Sequence, residues 1–199
     1  MLLYDNPQSG NCYKVRLVLA HRGLGYERRT VGIADKSGRD GVLGGVHPSL
    51  RIPALVLDDG RTLAESNAIA WYLAQGSDLV PDDAFDHARM LQWMFFEQYE
   101  HEPSLAVVRY ARVTAPDPGA FADRLPALIA RGDDVLSVMQ RHLDAHPYMA
   151  GDRLSVADLV LYPNTHFADE AGFRLADYPA VAAWVERVAS HPRHVPLTA

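Results

Sequence analysis

The sequence predicts a small α/β domain followed by an all-helical domain. Over residues 1–76, short apolar runs typical of strands alternate with helical patterns. From residue 85 to residue 199 the strand signals stop, and every apolar pattern has a helical period. The segment between them, 77–84, is rich in Ser, Asp and Pro, which is typical of a linker.

The first domain begins with a strand–helix–strand unit. The apolar run Leu2–Tyr4 is typical of a strand buried on both faces. After a turn of Pro, Ser, Gly and Asn, an apolar face formed by Val15, Val18 and Leu19 predicts a helix that a glycine ends. Residues 26–33 predict a second strand, parallel to the first.

The rest of this domain predicts a hairpin and one more helix. Residues 34–50 contain several glycines and no periodic pattern, so we expect irregular structure there. Residues 53–66 predict a β-hairpin around an Asp-Gly turn. A helix then begins at Ser66 and ends at Gly76.

The second domain shows helical periodicity in four long segments, which are 84–100, 125–146, 155–172 and 178–191. Pro103 follows the first segment and is expected to bend the helix. Ser155, with Asp158 three residues later, forms a capping box at the start of the third segment.

Composition excludes several classes of protein. The chain has 199 residues, a net charge of −6 and no block of basic residues, which argues against nucleic acid or an anionic membrane as a partner. A single cysteine excludes an internal disulfide and a cysteine zinc cluster, and is typical of a reducing compartment. We see neither a signal peptide nor an apolar run of the roughly 18 residues that a membrane span requires. A cytoplasmic protein is therefore expected.

Four stretches, in this order, carry a resemblance to a known family. They are "SGNCYKVRL", "RIPALV", "LAESNAIAWYLA", and "GDRLSVADLVLY" followed by "YPAVAAWVERVASHP". Together they resemble the cytosolic glutathione transferase family over essentially the whole chain. The first stretch looks most like bacterial-type members with a catalytic serine. The resemblance implies a thioredoxin-like first domain, a helical second domain and a homodimer.

The same resemblance implies a glutathione site in the first domain. It implies that Pro53 is cis, so that the backbone of Ile52 pairs with the extended peptide. Glu65 and Ser66, at a helix N-terminus, are expected to bind the ammonium and the carboxylate of the γ-glutamyl group. Arg51 is expected at the glycine carboxylate. Lys36 is a second basic residue placed to reach that carboxylate.

One position departs from the family pattern. The family has Asn-Pro-x-Gly before the Val-Pro pair, whereas this chain has His47, Pro48, Ser49 and Leu50. A leucine is strained at positive φ. We therefore expect the loop before Arg51 to take a different path.

Ser9 is the candidate catalytic residue. A thiol with a pKa of about 8.5 is only a few per cent ionised at pH 7, and lowering that pKa by two units requires roughly 2.7 kcal/mol. A charge-assisted hydrogen bond supplies about 1.5–3 kcal/mol and a helix N-terminus about 0.3–1 kcal/mol. Ser9 acts here as a hydrogen-bond donor to the glutathione sulfur, and Asn11 is a second candidate donor.

Cys12 offers an alternative. It stands three residues after Ser9, the spacing of a Cys-x-x-Cys motif whose first cysteine is replaced. The position one turn inside the helix favours a small core residue. The alternative is a thiol that forms a mixed disulfide with glutathione.

The helical domain is expected to contribute the electrophile pocket. Candidate residues are Trp93, Phe96, Glu97 and Arg109. Arg109 could also pair with Glu97 or with the neighbouring Glu100. Glu97 and His101 lie four apart on one helical face, but two ligands do not make a metal site, so no metal is expected.

Three functions follow from these residues. The first is a transferase that conjugates the glutathione thiolate to a small electrophile. The second is a glutathione-dependent thiol–disulfide reductase or isomerase. The third is a glutathione-binding protein of low turnover on the same fold, because a fold does not determine a function.

Overall fold

The computed structural model describes residues 1–32 and 38–198, and their contacts divide the chain into two units. The first unit contains Met1–Ser77 together with the C-terminal residues from Pro192 onward, and the second contains Asp78–His191. The division predicted from the sequence, 1–76 and 85–199, assigns those C-terminal residues to the helical domain. No local pattern in the sequence indicates that they return to the first unit.

The first unit contains one four-stranded mixed sheet with the strand order β2-β1-β3-β4. Strands β1 and β2 are parallel, whereas β1 with β3 and β3 with β4 are antiparallel. The predicted strand–helix–strand unit and the predicted hairpin are both confirmed. The strands are β1 (Leu2–Asp5), β2 (Glu27–Thr30), β3 (Ala54–Val56) and β4 (Thr62–Ala64).

The described residues of this unit form three helices, which are α1 (Gly10–Arg22), α2 (Arg39–Leu43) and α3 (Ser66–Ala74). Helix α1 ends at Gly23, which adopts the left-handed conformation with φ 63°. Helix α2 corrects the expectation of irregular structure over 34–50. Its last residue, Leu43, is fully buried in a cluster with Tyr4 and Ala54, so tertiary packing overrides the weak local pattern. Lys36 lies outside the described residues.

Strand register brings three loops to one edge of the sheet. Tyr4 pairs with Ala54, and Ala54 pairs with Ala64. The end of β1, the start of β3 and the end of β4 therefore lie side by side. The loops that leave from this edge carry the sequence motifs around Ser9, Pro53 and Glu65.

The second unit is helical, as predicted, and its described residues form no strand. Helix α4 runs directly into a π-helical segment that contains Pro103. Wider π turns are a common response to a residue that breaks the regular hydrogen-bond ladder. No described helix is both long enough and apolar enough to span a membrane. In chain order the elements are α4 (Ala84–Phe96), π (Glu97–Ala106), α5 (Val107–Arg109), π (Tyr110–Thr114), 3-10 (Pro118–Phe121), α6 (Leu125–Leu143), α7 (Val156–His166), 3-10 (Leu175–Asp177) and α8 (Pro179–Ala189).

The buried carboxylate of Asp158 organises the core of the second unit. It accepts hydrogen bonds from the Ser155 N–H at 2.9 Å, the Ser155 hydroxyl at 2.8 Å, the Met149 N–H at 2.9 Å and the Trp184 indole at 2.9 Å. Burial raises the pKa of Asp158, although these hydrogen bonds favour the carboxylate. The capping box predicted at Ser155 is therefore confirmed, and it extends to α8 through Trp184.

Replacing Ser155 tests this network. Ser155→Ala removes the hydroxyl donor to Asp158 and is expected to lower the free energy of unfolding by about 1–2 kcal/mol. Urea denaturation followed by circular dichroism measures the loss. Ser190→Ala is the matched control, because Ser190 is exposed and its side chain bonds to no described residue. Equal midpoints for the two variants would contradict this role of Ser155.

Candidate functional site

Ser9 is the N-cap of α1. Its backbone is extended, with φ −82° and ψ 119°, and its Oγ accepts a hydrogen bond from the Cys12 N–H at 3.3 Å. That bond uses a lone pair, and the Ser9 hydroxyl also forms a hydrogen bond with the Cys12 side chain. Its proton reaches a ligand by rotation about the Cβ–Oγ bond. The first turn of α1 carries no acidic residue to offset the helix dipole. Asn11 lies half-buried in the same turn.

Cys12 is a core residue. Its side chain is fully buried, and burial, together with the nearby Asp5 carboxylate, raises the pKa of the thiol to about 12. A thiol in that state is neither exposed nor ionised near neutral pH. The burial of Cys12 agrees with the predicted packing role, and the alternative of a reactive thiol at this position stays a prediction.

The Ile52–Pro53 peptide bond is cis, as the resemblance implies. Pro53 is buried at the entrance to β3, whereas Ile52 is half-buried and Arg51 is exposed. No backbone hydrogen bond joins Ile52 to another residue in the described part of the chain. Its N–H and C=O therefore remain available for an extended peptide.

The loop before Arg51 corrects one expectation. Leu50 adopts a left-handed conformation with φ 52°, so the leucine takes the positive φ that we expected the loop to avoid. The buried side chain of Arg39 explains how this conformation is held. Its guanidinium donates to the Leu50 carbonyl at 3.2 Å and also to the Gly32 carbonyl. His47 is buried as well, and its Nδ1 accepts from the Ser49 N–H at 3.1 Å.

Glu65 and Ser66 occupy the N-terminus of α3. Glu65 is exposed and has φ 67° and ψ 116°, a conformation that non-glycine residues rarely adopt. Its side chain makes no capping hydrogen bond, so the first amides of α3 remain available to an anion. Ser66 is buried and is the first helical residue rather than the cap.

Sequence reasoning missed Lys14, which contacts the first turn of α3. Lys14 is fully buried in α1, and its ammonium lies 3.4 Å from the Ser66 Oγ and 3.3 Å from the Asn67 Oδ1. A lysine within a helical pattern normally indicates a solvent-exposed face. The only signal in the sequence was its place five residues after Ser9.

Two of the predicted electrophile-pocket residues are aromatic and lie in or near the core of the second unit. Trp93 is buried and packs edge-on against Phe96, with ring centroids 5.2 Å apart, and against His142 at 4.7 Å. Glu97 is fully buried, and its Oε1 lies 3.7 Å from the Nδ1 of His101. Glu97 therefore presents no open surface in this structure.

Arg109 pairs with Glu170, a residue from a distant part of the chain. It donates to the Glu170 carboxylate at 2.8 Å, and its guanidinium lies over the Phe167 ring, 3.8 Å from the centroid. Glu100 pairs instead with Arg131 at 2.7 Å. Helical spacing indicated the right face for Arg109, but its partners come from a distant part of the chain.

Comparison with known proteins identifies the family. Residues 8–75 match the family model for the glutathione S-transferase N-terminal domain, and residues 122–187 match that for the C-terminal domain. The chain belongs to the glutathione S-transferase family. Glutathione S-transferase 3 of Zea mays is 30% identical over 96% of this chain and 89% of its own length.

Two further relatives differ in what their names state. The crystal structure of a glutathione S-transferase from Pseudomonas fluorescens Pf-5 is 43% identical, covers 98% of both chains and superposes with a TM-score of 0.92. The disulfide-bond oxidoreductase YfcG of Escherichia coli is 29% identical over 96% of this chain and 90% of its own length. The fold of this glutathione S-transferase family member is thereby established, and its reaction type is a separate question.

Cys12 gives a direct test of the site's chemistry. With a thiol pKa of about 12, the folded protein at pH 8 holds only about one ten-thousandth of Cys12 as thiolate. We expect no reaction with dithionitrobenzoate in buffer, and reaction of one thiol per chain in urea, where the pKa returns to about 8.5.

The raised pKa of the Cys12 thiol also predicts how the free energy of unfolding depends on pH. Because the folded pKa is raised, the unfolded state releases the thiol proton first, so stability falls as the pH rises above about 8.5. Cys12→Ala, compared with the unaltered protein in urea melts at several pH values, should lack this part of the decline. Rapid modification of the folded protein at pH 8 would contradict the buried assignment.

Proposed function

We propose that this family member is an enzyme that binds glutathione, stabilises its thiolate and conjugates it to a small electrophile. The observation that carries the proposal is the sheet edge where Ser9, Ile52 and Ser66 lie on adjacent loops. Each of the three presents a hydrogen-bonding group of the kind that a thiol-containing peptide needs. In the reaction the sulfur forms a bond to carbon, and the leaving group departs with its electron pair.

The peptide would lie along the edge in an extended form. The N–H and C=O of Ile52 pair with the cysteinyl backbone, as a neighbouring strand would. The first-turn amides of α3 and the Ser66 hydroxyl bind the γ-glutamyl carboxylate, and Glu65 binds its ammonium. Arg51, which is exposed, binds the glycine carboxylate.

In this arrangement Ser9 contacts the sulfur of the bound glutathione. Its hydroxyl donates to the thiolate, and the uncompensated N-terminus of α1 adds a favourable potential. Together these effects supply about 2–4 kcal/mol, enough to lower the thiol pKa by roughly two units. Asn11 is a second donor from the same turn. No protein base is required, because the proton leaves for solvent.

A second candidate is a glutathione-dependent disulfide reductase, which the relative YfcG favours. Two glutathione thiols would be oxidised to one glutathione disulfide, while the substrate disulfide gains two electrons and two protons. Cys12 is buried and protonated, so the sulfur atoms would come from glutathione alone. Isomerase activity and low-turnover binding fit the same site, and the electrophile pocket remains a prediction for Trp93 and Phe96.

We further propose a homodimer in the cytoplasm with a role in detoxification. Three aromatic side chains along α4 and its π-helical continuation are largely exposed: Phe85 and Phe95 at 70% and Tyr99 at 74%. Burying such side chains against a second copy is favourable by about 2 kcal/mol each.

Ser9→Ala tests the catalytic assignment. We expect kcat/KM for glutathione with 1-chloro-2,4-dinitrobenzene to fall about 10- to 100-fold, the effect of losing one charge-assisted hydrogen bond. The rising limb of the pH–rate profile should move to higher pH, because the bound thiol becomes a weaker acid. Cys12→Ala is the control, and we expect it to keep the profile of the unaltered protein.

A parallel assay with hydroxyethyl disulfide separates the two reaction types. Turnover of the disulfide without conjugation would replace the transferase with the reductase. An unchanged profile in Ser9→Ala, together with loss of activity in Cys12→Ala, would overturn the serine assignment.

Phe95→Glu tests the dimer. We expect it to convert the protein to a monomer in sedimentation-equilibrium experiments, because a charge would be buried at the interface. Val42→Glu, at an exposed apolar residue of α2, is the control and should sediment as the unaltered protein does. An unaltered protein that sediments as a monomer at all concentrations would contradict the proposal.

A further inference from the structure

We infer that Asn6 is a positioning residue for Ser9, whose side-chain amide fixes the loop that presents the serine hydroxyl to a bound thiolate. Asn6 lies between the end of β1 and the start of α1. It acts through Ser9 rather than on the sulfur. This inference rests on the proposed glutathione site, and it concerns how the geometry of that site is set rather than which ligand the site binds.

Asn6 begins a tight turn that ends at Ser9. Its carbonyl accepts from the Ser9 N–H at 3.1 Å, and its side-chain Oδ1 accepts from the Gln8 N–H at 2.9 Å. Asparagine at the first position and proline at the second, here Pro7, are both favoured in such turns. The two hydrogen bonds fix the backbone immediately before Ser9, and therefore the direction in which its side chain leaves the loop.

The side-chain nitrogen of Asn6 ties this turn to the neighbouring strand. The Nδ2 donates to the Val31 carbonyl at 2.9 Å. Val31 directly follows β2, and its own N–H donates to the Asp5 carbonyl at 2.8 Å. An alanine at position 6 would supply neither side-chain bond. An aspartate would supply only the bond within the turn, because an ionised carboxylate donates no hydrogen bond.

The backbone of Asn6 is bonded to α1. Its carbonyl accepts a second hydrogen bond, from the Arg16 guanidinium at 3.3 Å, and its backbone also forms a hydrogen bond with the Cys12 thiol. Arg16 and Cys12 are both buried. The loop before Ser9 is therefore held to α1 through the backbone of Asn6 and to the end of β2 through its side chain.

The position of Ser9 matters because a hydrogen bond to sulfur depends on geometry. Hydrogen bonds weaken steeply as their angle departs from linear, and a misplacement of about 1 Å at a reacting centre lowers rates by up to about 100-fold. The sulfur itself is placed by other loops, those of Ile52 and Ser66. A loop that shifts at Asn6 should therefore leave glutathione bound but make its thiol less acidic.

Asn6→Ala tests this inference through the pKa of the bound thiol. The probe is glutathione, and the ultraviolet absorbance of its thiolate is followed as the pH of the complex is changed. We expect the pKa to rise by about one unit, which lowers kcat with 1-chloro-2,4-dinitrobenzene about tenfold at pH values below both pKa values. The Kd of glutathione in the same acidic range should change by about twofold at most. A purely structural role would reduce the amount of active protein and leave the pKa unchanged.

Asp117→Ala is the matched control. Asp117 also precedes a proline, its Oδ1 accepts from the Gly119 N–H at 3.0 Å, and its carbonyl accepts from the Ala120 N–H at 3.3 Å. This variant therefore loses the same kind of turn in the helical unit, and we expect the pKa of the bound thiol to stay as in the unaltered protein.

Asn6→Asp separates the two side-chain contacts of Asn6. It keeps the acceptor for the Gln8 N–H and loses the donor to the Val31 carbonyl. We expect the pKa of the bound thiol to be raised in this variant too. A pKa equal to that of the unaltered protein would overturn the role of the bond to Val31.

Ser9→Ala completes a double-mutant cycle. If Asn6 acts through Ser9, Asn6→Ala should change the pKa much less in the Ser9→Ala background than alone. Full additivity, or an unchanged pKa in Asn6→Ala, would overturn the inference. If Asn6→Ala does not fold, Asn6→Asp, which keeps the turn, takes its place in the cycle with the same criterion. An unaltered protein that binds no glutathione would contradict the proposed function itself, on which the inference rests.

Discussion

The first unit depends on a buried ion pair between Arg16 and Asp5. The guanidinium contacts both carboxylate oxygens, at 2.7 and 2.8 Å, and both side chains are almost wholly buried. It also donates to two carbonyls in the loop that leads to Ser9, and to the Leu197 carbonyl at 2.5 Å. Removing one partner of such a pair costs about 3–5 kcal/mol, since the other charge stays buried. The position of Ser9 therefore depends on α1, on β1 and on the C-terminal residues.

Backbone strain is concentrated beside this same edge. Leu50 and Glu65 both have positive φ, which costs each of them about 1–3 kcal/mol. The Leu50 carbonyl is held by Arg39, and the Glu65 carbonyl accepts from the Ile69 N–H at 2.9 Å. Hydrogen bonds to these two carbonyls help to hold the strained conformations. Such strain is frequent where backbone groups must face a ligand, and here the two strained residues precede the segments proposed to bind it.

Local patterns were sufficient to predict the strands, the longer helices and the edge motifs. The strand pattern and the Asp-Gly turn predict that Pro53 and Glu65 lie on one hairpin. The capping box predicts that Asp158 lies in the first turn of α7. Lys14 was not predictable in the same way. It lies in a helix that is buried on nearly every side, and its partners are more than fifty residues away in the sequence. A lysine in a helical pattern predicts an exposed side chain, whereas Lys14 is buried. The return of the C-terminal residues was missed for the same reason, because the Leu197 carbonyl accepts from Arg16 at the other end of the chain.

The charges around this edge suit the anionic peptide proposed to bind there, in a protein that is acidic overall. The chain carries a net charge of −6, yet cations outnumber carboxylates among the described residues that form or brace the three loops. The cations are Lys14, Arg16, Arg28, Arg39 and Arg51, and the carboxylates are Asp5 and Glu65. Asp5 is already neutralised by two arginines, at 2.7 Å each. Lys14, Arg16 and Arg39 are buried, so solvent screens their charges little.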